Sequence, residues 1–332
     1  MRASDRKGIA LSSAPVVIGV GATGRRIVSL VASRESGALS CIAVLPEEPP
    51  EAPRPVPTIA WGGGAKGRLL ARAEGAGPAV LVTNLASDAA ATIAPDVARA
   101  LRPRVSTLAA VGISPFSFEG AAKVEAAQEA LRILGPLVDG IALAEREGTR
   151  AIVPSDTSLA EACTVVDEAA ALAAAVLARV GADGDELARM FADSRGGCAL
   201  GAGEATGQDA AAAATRMALA ESLLSEDRLL ASSGAVLVLA LGRAPTLGEI
   251  GSAEEALRGR VSEGASCAAS FVHDPTLGER ALAAALSVSR AGVKSEKDVF
   301  PSENPVTLKV PAFMRRRSAG RRGRGGRIRR VA

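Results

Sequence analysis

The chain has 332 residues, of which 48% are apolar, so it can bury the cores of two domains of ordinary size. It has no tyrosine, one tryptophan and six phenylalanines, which leaves little material for the aromatic platforms of single-strand nucleic-acid binders. The net charge of +3 conceals a division, because residues 315–330 hold nine arginines and no acid. We therefore expect a mildly acidic body followed by a strongly basic tail.

The spacing of the cysteines, histidine and apolar residues argues against a metalloprotein, a secreted protein and a membrane protein. The four cysteines lie far apart with no CxxC spacing, and His273 is the only histidine, so we expect no metal site. This usage predicts four buried, reduced thiols in a cytoplasmic protein. The first residues are polar and lead into no run of about 20 apolar residues, which predicts neither a signal peptide nor a membrane span.

A strand predicted at residues 16–20 leads into three glycines, Gly19, Gly21 and Gly24, with G-x-G-x-x-G spacing before a helix. Such a turn brings bare backbone and a helix N-terminus to one point, where unpaired N–H groups and the helix dipole favour an anion. The motif predicts a nucleotide phosphate site made by Gly21, Ala22, Thr23, Gly24, Arg25 and Arg26. The alternative is a glycine-rich strand-to-helix turn that binds nothing.

Strands and helices are predicted to alternate through the first half of the chain. The later strands fall at 40–45, 79–83, 108–113 and 140–144, and the helices at about 67–74, 88–101 and 121–134. Residues 46–57 are rich in Pro and Glu and are predicted to be loop, and a second glycine cluster, WGGGAK, follows at 61–66. This alternation indicates a parallel sheet covered on both faces.

A single long helix is predicted at residues 158–180, where Ser158 and Glu161 have the spacing of a capping box. Its apolar stripe, which begins at Leu159 and Cys163, is typical of a helix buried between two domains. A smaller α+β domain is predicted beyond it. Its strands fall at 197–202, 235–241, 266–272 and 281–288, and its helices at about 207–224 and 248–261.

Several ordered stretches resemble FtsZ, the bacterial tubulin relative that forms the division ring. Residues 115–120 read PFSFEG, which matches the family outright, and residues 17–21 are similar to its first glycine loop. Residues 201–207 resemble the opening of its second domain, and the likeness runs from about residue 15 to 317. It implies an α/β fold: a tubulin/FtsZ-like nucleotide-binding domain with a parallel sheet, a central helix and a smaller α+β C-terminal domain.

The resemblance also implies a division of the chain. A flexible leader (1–14) and a GTPase-type domain (15–157) precede the central helix (158–180). The C-terminal domain (181–290) is followed by a linker (291–305), a partner-docking peptide (306–317) and the basic tail (318–332).

By the same resemblance the ligand is GTP or GDP. Glu119 falls where the family contacts the ribose, Lys123 stands where an arginine is usual, and Asp167 is the presumed guanine contact. Glu119 and Lys123 are also four residues apart on a helix, so an ordinary surface ion pair stays open as the alternative.

Three departures weaken the expected site. The glycine- and threonine-rich phosphate loop is missing, and the shorter segment 84–89 replaces it. There Asp88 is predicted to cap the helix, either taking the electrostatic place of the phosphate or as a plain cap. The phenylalanine that stacks on the base is replaced by Cys163.

The family's catalytic acids fall here on Ala182, Gly184 and Leu187, with Asp183 and Asp185 adjacent. These two aspartates are the candidate catalytic residues; the alternative is that they are solvated loop or cap residues. Losing a positioned acid removes water orientation, so we expect weak or absent GTPase activity.

The C-terminal residues resemble the peptide by which FtsZ docks membrane-tethering division proteins. The docking residues implied are Leu308, Val310, Pro311, Phe313, Met314, Arg315 and Arg316, although Lys309 replaces the usual acid. The arginine tail is predicted to bind an acidic protein, an anionic lipid or nucleic acid, with binding that weakens in salt. The alternative is a solubilising end.

The sequence leaves two principal functions and two alternatives. The chain is expected to be an FtsZ-like protein of the cytoplasm and division site that assembles with itself or with FtsZ filaments, or a nucleotide-free modulator that acts on such filaments through its basic tail. One alternative is a nucleic-acid or membrane adaptor driven by the tail, with the globular part only as scaffold. An NAD-dependent Rossmann oxidoreductase would need an acid after the second strand, where Leu45 stands and Glu47 comes two residues late.

Overall fold

The computed structural model describes residues 14–288 except 36, 48–55, 75–76, 181–197, 208, 221–222, 225–228 and 231. Within this part, ten strands form one sheet. They are β1 (Val16–Val20), β2 (Ser40–Leu45), β3 (Thr58–Ala60), β4 (Ala79–Asn84), β5 (Leu108–Ile113), β6 (Gly140–Ala144), β7 (Cys198–Thr206), β8 (Gly234–Leu241), β9 (Ser266–His273) and β10 (Arg280–Val288).

The strand order is β3-β2-β1-β4-β5-β6-β7-β10-β8-β9. The strands from β3 to β7 are all parallel, whereas β10 runs antiparallel to both β7 and β8. Because β6 pairs with β7, the sheet continues without a break from the first half of the chain into the second.

The described part of the chain contains eight α-helices, most of which pack on the sheet. They are α1 (Gly21–Arg34), α2 (Ala65–Arg72), α3 (Asp88–Leu101), α4 (Ala121–Leu134), α5 (Thr149–Ile152), α6 (Leu159–Val180), α7 (Ala210–Ala220) and α8 (Leu247–Arg258), all within the described ranges. The buried side chains of α1 and α6 share one core on one face. The opposite face is covered by α2, α3 and α4 in the first half and by α7 and α8 in the second.

Helix α6 confirms the predicted central helix. Ser158 Oγ accepts from the Glu161 N–H at 3.2 Å, and Glu161 Oε2 accepts from the Ser158 N–H at 3.0 Å, which completes the capping box. Residues 170–180 are buried on every side, since small alanines let the helix lie close against strands from both halves. Leu159 is 54% exposed, so the predicted apolar stripe does not begin there.

The remaining predicted elements are mostly confirmed, with one addition and one correction. Strand β3 follows the loop predicted at residues 46–57, of which 48–55 lie outside the described part, and it was not predicted because its three residues are too short to show a periodicity. Helix α2 begins at Ala65, two residues earlier than predicted, because Gly64 precedes it in the left-handed conformation that a glycine permits. No helix in the described ranges is long and apolar enough to cross a membrane.

A buried ionic cluster ties the two halves of the sheet together. Arg179, in the last turn of α6, donates to Glu35, which follows α1, and to Asp274, which follows β9, at 2.6 Å. Arg280 in β10 binds Glu35 at 3.2 Å and Glu204 in β7 at 2.7 Å. Arg179 and Glu35 are buried, and a buried charge is costly once it loses its partner, so we expect the cluster to favour this packing of the halves.

Candidate functional site

The sheet has a topological switch point between β1 and β4. Helix α1 leaves the end of β1 toward one face, and α3 leaves the end of β4 toward the other. Open α/β sheets bind ligands in the crevice that such a divergence creates at the carboxyl ends of the strands. The predicted phosphate turn (residues 21–26) and the shortened segment (residues 84–89) both border this crevice.

The three glycines of the first turn are required by packing. A Cβ on Gly19 would lie 2.1 Å from the carbonyl oxygen of Gly24, and one on Gly24 would lie 2.6 Å from that of Val82 in β4. Gly21 has φ +77°, a backbone conformation that residues with a side chain rarely adopt. Close approach of α1 to the sheet therefore explains the spacing without a ligand, and the binding and non-binding interpretations both stand.

The predicted base contact, Asp167, lies beside this turn. Arg26 Nε donates to Asp167 Oδ2, which joins α1 to α6. Asp167 is buried, and its hydrogen bond raises the pKa of the half-exposed Arg26 guanidinium despite the opposing effect of burial. The other oxygen, Asp167 Oδ1, is buried and has no hydrogen-bond partner among the described residues.

The surroundings of Asp167 match the departures seen in the sequence. Cys163, one turn earlier on α6, is half-buried and supplies no aromatic surface for a base. Of the other predicted turn residues, Ala22 and Arg25 are exposed and Thr23 is half-buried. The structure thus brings the predicted turn and Asp167 together, whereas the Arg26–Asp167 pair was not predicted.

The β4–α3 connection corrects the expectation for Asp88. Ser87 Oγ accepts from the Ala90 N–H at 3.3 Å, so Ser87 is the helix cap. Asn84 Oδ1 accepts from the Ala86 N–H at 3.1 Å, which tightens the three-residue turn. Asp88 is the exposed first residue of α3 and does not cap it, because the serine one residue earlier already does; its proposed electrostatic role stays a prediction.

Glu119 of the PFSFEG segment has three donors around it. It accepts from the Phe116 N–H, from Lys123 Nζ and from Arg146 Nη1, each at 2.9 Å. Burial raises the pKa of Glu119, but these hydrogen bonds and the nearby positive charges outweigh it and hold the pKa below its ordinary value. The ion pair between Glu119 and Lys123 therefore forms, while a ribose contact stays a prediction.

Arg146 was missed by the sequence reasoning. It follows β6 at the same edge of the sheet, is 8% exposed, and its guanidinium lies 5.8 Å from the centroid of the Phe116 ring. Phe116 stacks on Phe118 at 4.8 Å, and Arg150 lies over the Phe118 ring at 5.9 Å. The only signal in the sequence is a basic residue just after a buried strand, which is too common to single out.

The WGGGAK segment (61–66) lies at the carboxyl end of β3, on the same edge as the crevice, and ends in the exposed Lys66.

Among the described residues, no cluster of acids, cysteines and histidine could hold a metal ion. Cys41 and Cys198 are buried as predicted, but Cys163 and Cys267 are only half-buried, so the prediction of four buried thiols is wrong for that pair. Cys267 lies in β9, an edge strand of the sheet, where it packs only partly against the core.

Other predicted residues lie outside the described part of the chain. These are the candidate catalytic acids Asp183 and Asp185, the docking peptide and the basic tail.

Comparison with known proteins found no matching family model. Curated relatives are FtsZ proteins at 24–28% identity; that of Magnetospirillum gryphiswaldense is 24% identical over 89% of this chain and 57% of its own length. The chain spans from about a third to less than two thirds of the first relatives' length.

Solved structures show the same fold. The empty FtsZ dimer of M. jannaschii has a TM-score of 0.64 at 17% identity, covering 86% of this chain and 95% of that one. CetZ2 of Haloferax volcanii, a GTPγS-bound protofilament, has a TM-score of 0.59 at 19% identity, covering 83% and 93%. The chain is therefore similar in sequence to FtsZ, at low identity, and has the fold that FtsZ shares with CetZ.

Proposed function

We propose that this chain is a cytoskeletal protein of the FtsZ type that binds a guanine nucleotide in the crevice between α1 and α3. It assembles head to tail or co-assembles with FtsZ filaments, and it hydrolyses GTP slowly or not at all. The contact between Arg26 and Asp167 carries the proposal, since it holds an acid of the central helix against the glycine turn at the switch point.

Base binding is supported by the unpartnered Oδ1 of Asp167. A buried acceptor without a donor is costly, and a purine N–H would remove that cost. Two structural neighbours hold guanine nucleotides on this fold: CetZ2 of Haloferax volcanii as a GTPγS-bound protofilament and CetZ1 of the same organism as a GDP-bound monomer. The Asp167 environment therefore fits a base better than it fits a purely structural ion pair.

The phosphate end of the crevice fits less well, which supports slow hydrolysis. The turn between β4 and α3 contains no glycine, and Ser87 already satisfies one N–H at the start of α3. Asp88 adds a negative charge where a terminal phosphate would lie. If Asp183 and Asp185 do not replace the missing catalytic acids, nothing orients the attacking water, and turnover falls by orders of magnitude.

A second candidate is a modulator that binds filaments without nucleotide. It is favoured by Glu119, whose carboxylate already accepts from Phe116, Lys123 and Arg146, so that most of its acceptor capacity is used within the chain. In either version, residues 308–316 dock a membrane-tethering division protein, and the arginine tail binds an acidic protein, an anionic lipid or nucleic acid at the division site.

Binding and sedimentation of the purified chain test these proposals. GTP, GDP and NAD are titrated separately, and the chain is then centrifuged with and without GTP and with and without an intact FtsZ. We expect GDP and GTP to bind, phosphate release to be slow, and the chain to pellet with GTP or with FtsZ filaments.

Each contrary result removes a specific part of the proposal. Tight NAD binding would support an oxidoreductase, and fast phosphate release would refute the slow hydrolysis. No nucleotide binding with co-pelleting would favour the modulator, while neither binding nor pelleting would refute both versions. Asp167→Asn should abolish guanine binding, whereas Asp96→Asn, at an exposed position on α3, should leave it unchanged.

A further inference from the structure

We propose that the open edge of strand β9 binds the chain's own residues 306–310 as an additional strand that runs parallel to β9. The pairing does not depend on nucleotide, because β9 lies at the far end of the sheet from the crevice between β1 and β4. Its consequence rests on the proposed docking of residues 308–316: Leu308 and Val310 belong to both segments, so a docking partner must first displace them from β9.

Strand β9 is a long edge strand without the features that usually protect such an edge. It pairs with β8 along all eight of its residues, and no described strand pairs with its other side. Edge strands are normally kept from pairing by short length, charged residues, proline or bulges. At the opposite edge β3 has only three residues, whereas β9 reads SCAASFVH and carries no charged residue of the Lys, Arg, Asp or Glu type and no proline. Its outer backbone groups therefore offer a template for another strand.

Phe271 marks the face on which an added strand would pack. Side chains alternate along a strand, so Cys267, Ala269 and Phe271 share one face of β9. Cys267 and Ala269 pack partly against the core of the second half, but Phe271 remains 51% exposed. An added strand with apolar residues on this face would cover Phe271 and would supply main-chain hydrogen bonds to the edge.

Residues 289–332 contain one run with the pattern of a half-buried strand. Residues 306–310 read VTLKV, in which apolar and polar residues alternate, and a proline stands on each side of the run. Its five residues all keep a backbone N–H, and its three apolar side chains would share the face that covers Phe271. The sequence therefore supplies a strand that complements the edge.

The described chain ends close enough to this edge for the segment to return to it. Val288, the last residue of β10, lies opposite Gly234 of β8, which lies opposite Ser266 at the start of β9. A strand beyond β9 would begin about 14 Å from Val288, at about 4.8 Å per strand. A random-coil segment as long as residues 289–305 spans about 20–25 Å, so residue 306 can reach this position. The returning segment then runs antiparallel to β10 and parallel to β9.

The β9 edge of a second copy is the alternative occupant. A segment tethered by a short linker has an effective concentration of about a millimolar, whereas a second copy is present only at its bulk concentration. The tethered segment is therefore favoured in dilute solution.

Hydrogen exchange of the full chain, measured by mass spectrometry without nucleotide, tests the pairing. In the unaltered chain we expect the amides of residues 306–310 to exchange at least about tenfold below their intrinsic rates, and those of residues 291–305 to exchange close to theirs. Leu308→Pro removes an N–H, and Phe271→Lys places a charge on the open edge, so each should abolish the protection of residues 306–310. Leu308→Pro should also speed exchange within β9.

Two matched variants are the controls. Ser318→Pro alters the backbone beyond the pairing segment, and Met217→Lys replaces an exposed apolar residue on α7 rather than on the edge strand. Both should leave the protection of residues 306–310 unchanged.

Each contrary outcome overturns the pairing without touching the proposed function. Exchange of residues 306–310 at their intrinsic rates, or protection that survives both Leu308→Pro and Phe271→Lys, would refute it. Protection of β9 that rises with protein concentration, together with a dimer in light scattering, would assign the edge to a second copy instead. Nucleotide binding and sedimentation with FtsZ are measured separately, so their failure would leave the pairing standing.

Discussion

Replacing Arg179 by methionine should destabilise the fold by about 3 kcal/mol. The side chains of Arg179 and Glu35 are 3% and 4% exposed, so the variant leaves a buried carboxylate without its main partner. Removing one member of a buried ion pair typically costs about 3–5 kcal/mol. We expect the lower end, because Glu35 keeps Arg280 at 3.2 Å and Asp274, at 21% exposure, can regain water.

Urea unfolding followed by Trp61 fluorescence and by circular dichroism measures this cost. Trp61 fluorescence reports on the first half of the chain, whereas circular dichroism reports on both halves. If the two transitions coincide, both halves unfold together. Arg99→Met is the control: its pair with Asp96 is 57% and 55% exposed, and its loss should cost less than about 1 kcal/mol.

A double-mutant cycle with Glu35→Gln isolates the interaction energy between Arg179 and Glu35. The double variant should lose about 1–2 kcal/mol less unfolding free energy than the two single variants lose in sum, because the charge that Arg179→Met leaves unpaired is then gone. An Arg179→Met variant within about 1 kcal/mol of the unaltered chain, or strictly additive costs, would refute the view that this cluster favours this packing of the halves.

The other predictions concern the crevice and its edge. Because the pKa of Glu119 is lowered in the folded chain, its contribution to stability should be complete at neutral pH and be lost as pH falls through its folded pKa below about 4.5. Glu119→Gln should therefore lower the melting temperature at pH 7 and flatten its decline toward pH 3; an unchanged decline would contradict this. Gly24→Ala should lower the free energy of unfolding by about 2 kcal/mol or more, because the added Cβ would lie 2.6 Å from a strand carbonyl. The control is Gly67→Ala, whose Cβ meets nothing within 4 Å and which should leave stability in thermal unfolding unchanged or raise it. A maleimide should react with the half-buried Cys163 much faster than with Cys41, because burial raises the pKa of the Cys41 thiol to about 11. The modification is measured by mass spectrometry, and GDP should slow it at Cys163. Equal rates at the two cysteines would show that the crevice is closed.

The sequence predicts elements well where one local signal is strong. Runs of β-branched and aliphatic residues mark β1 and β4, and the Ser158–Glu161 spacing marks the start of α6. Prediction from the sequence fails where two neighbouring residues carry the same signal. Ser87 and Asp88 are both good caps, and which hydroxyl or carboxylate reaches the Ala90 N–H depends on how the chain leaves β4.

Contacts between distant segments were out of reach without a known fold. Arg146 meets Glu119 only because β5 and β6 are neighbours and both end at the same edge of the sheet. Arg26 and Arg25 look equivalent in the sequence, yet the 100° step along a helix directs only Arg26 to Asp167. The position of Asp167 near the turn was predictable only through the resemblance to FtsZ.

The candidate site is largely satisfied by its own side chains, and this bears on how tightly it can bind. Lys123 and Arg146 hold Glu119, and Ser87 holds an N–H of α3, so most of the bonds that a nucleotide could make here are already made within the chain and would be gained largely by exchange. The net gain from exchanging one hydrogen bond for another is small. Asp167 Oδ1 is the exception, since it has no bond to give up. Recognition should therefore be concentrated at the base, with modest affinity and a fold that is stable when no nucleotide is bound.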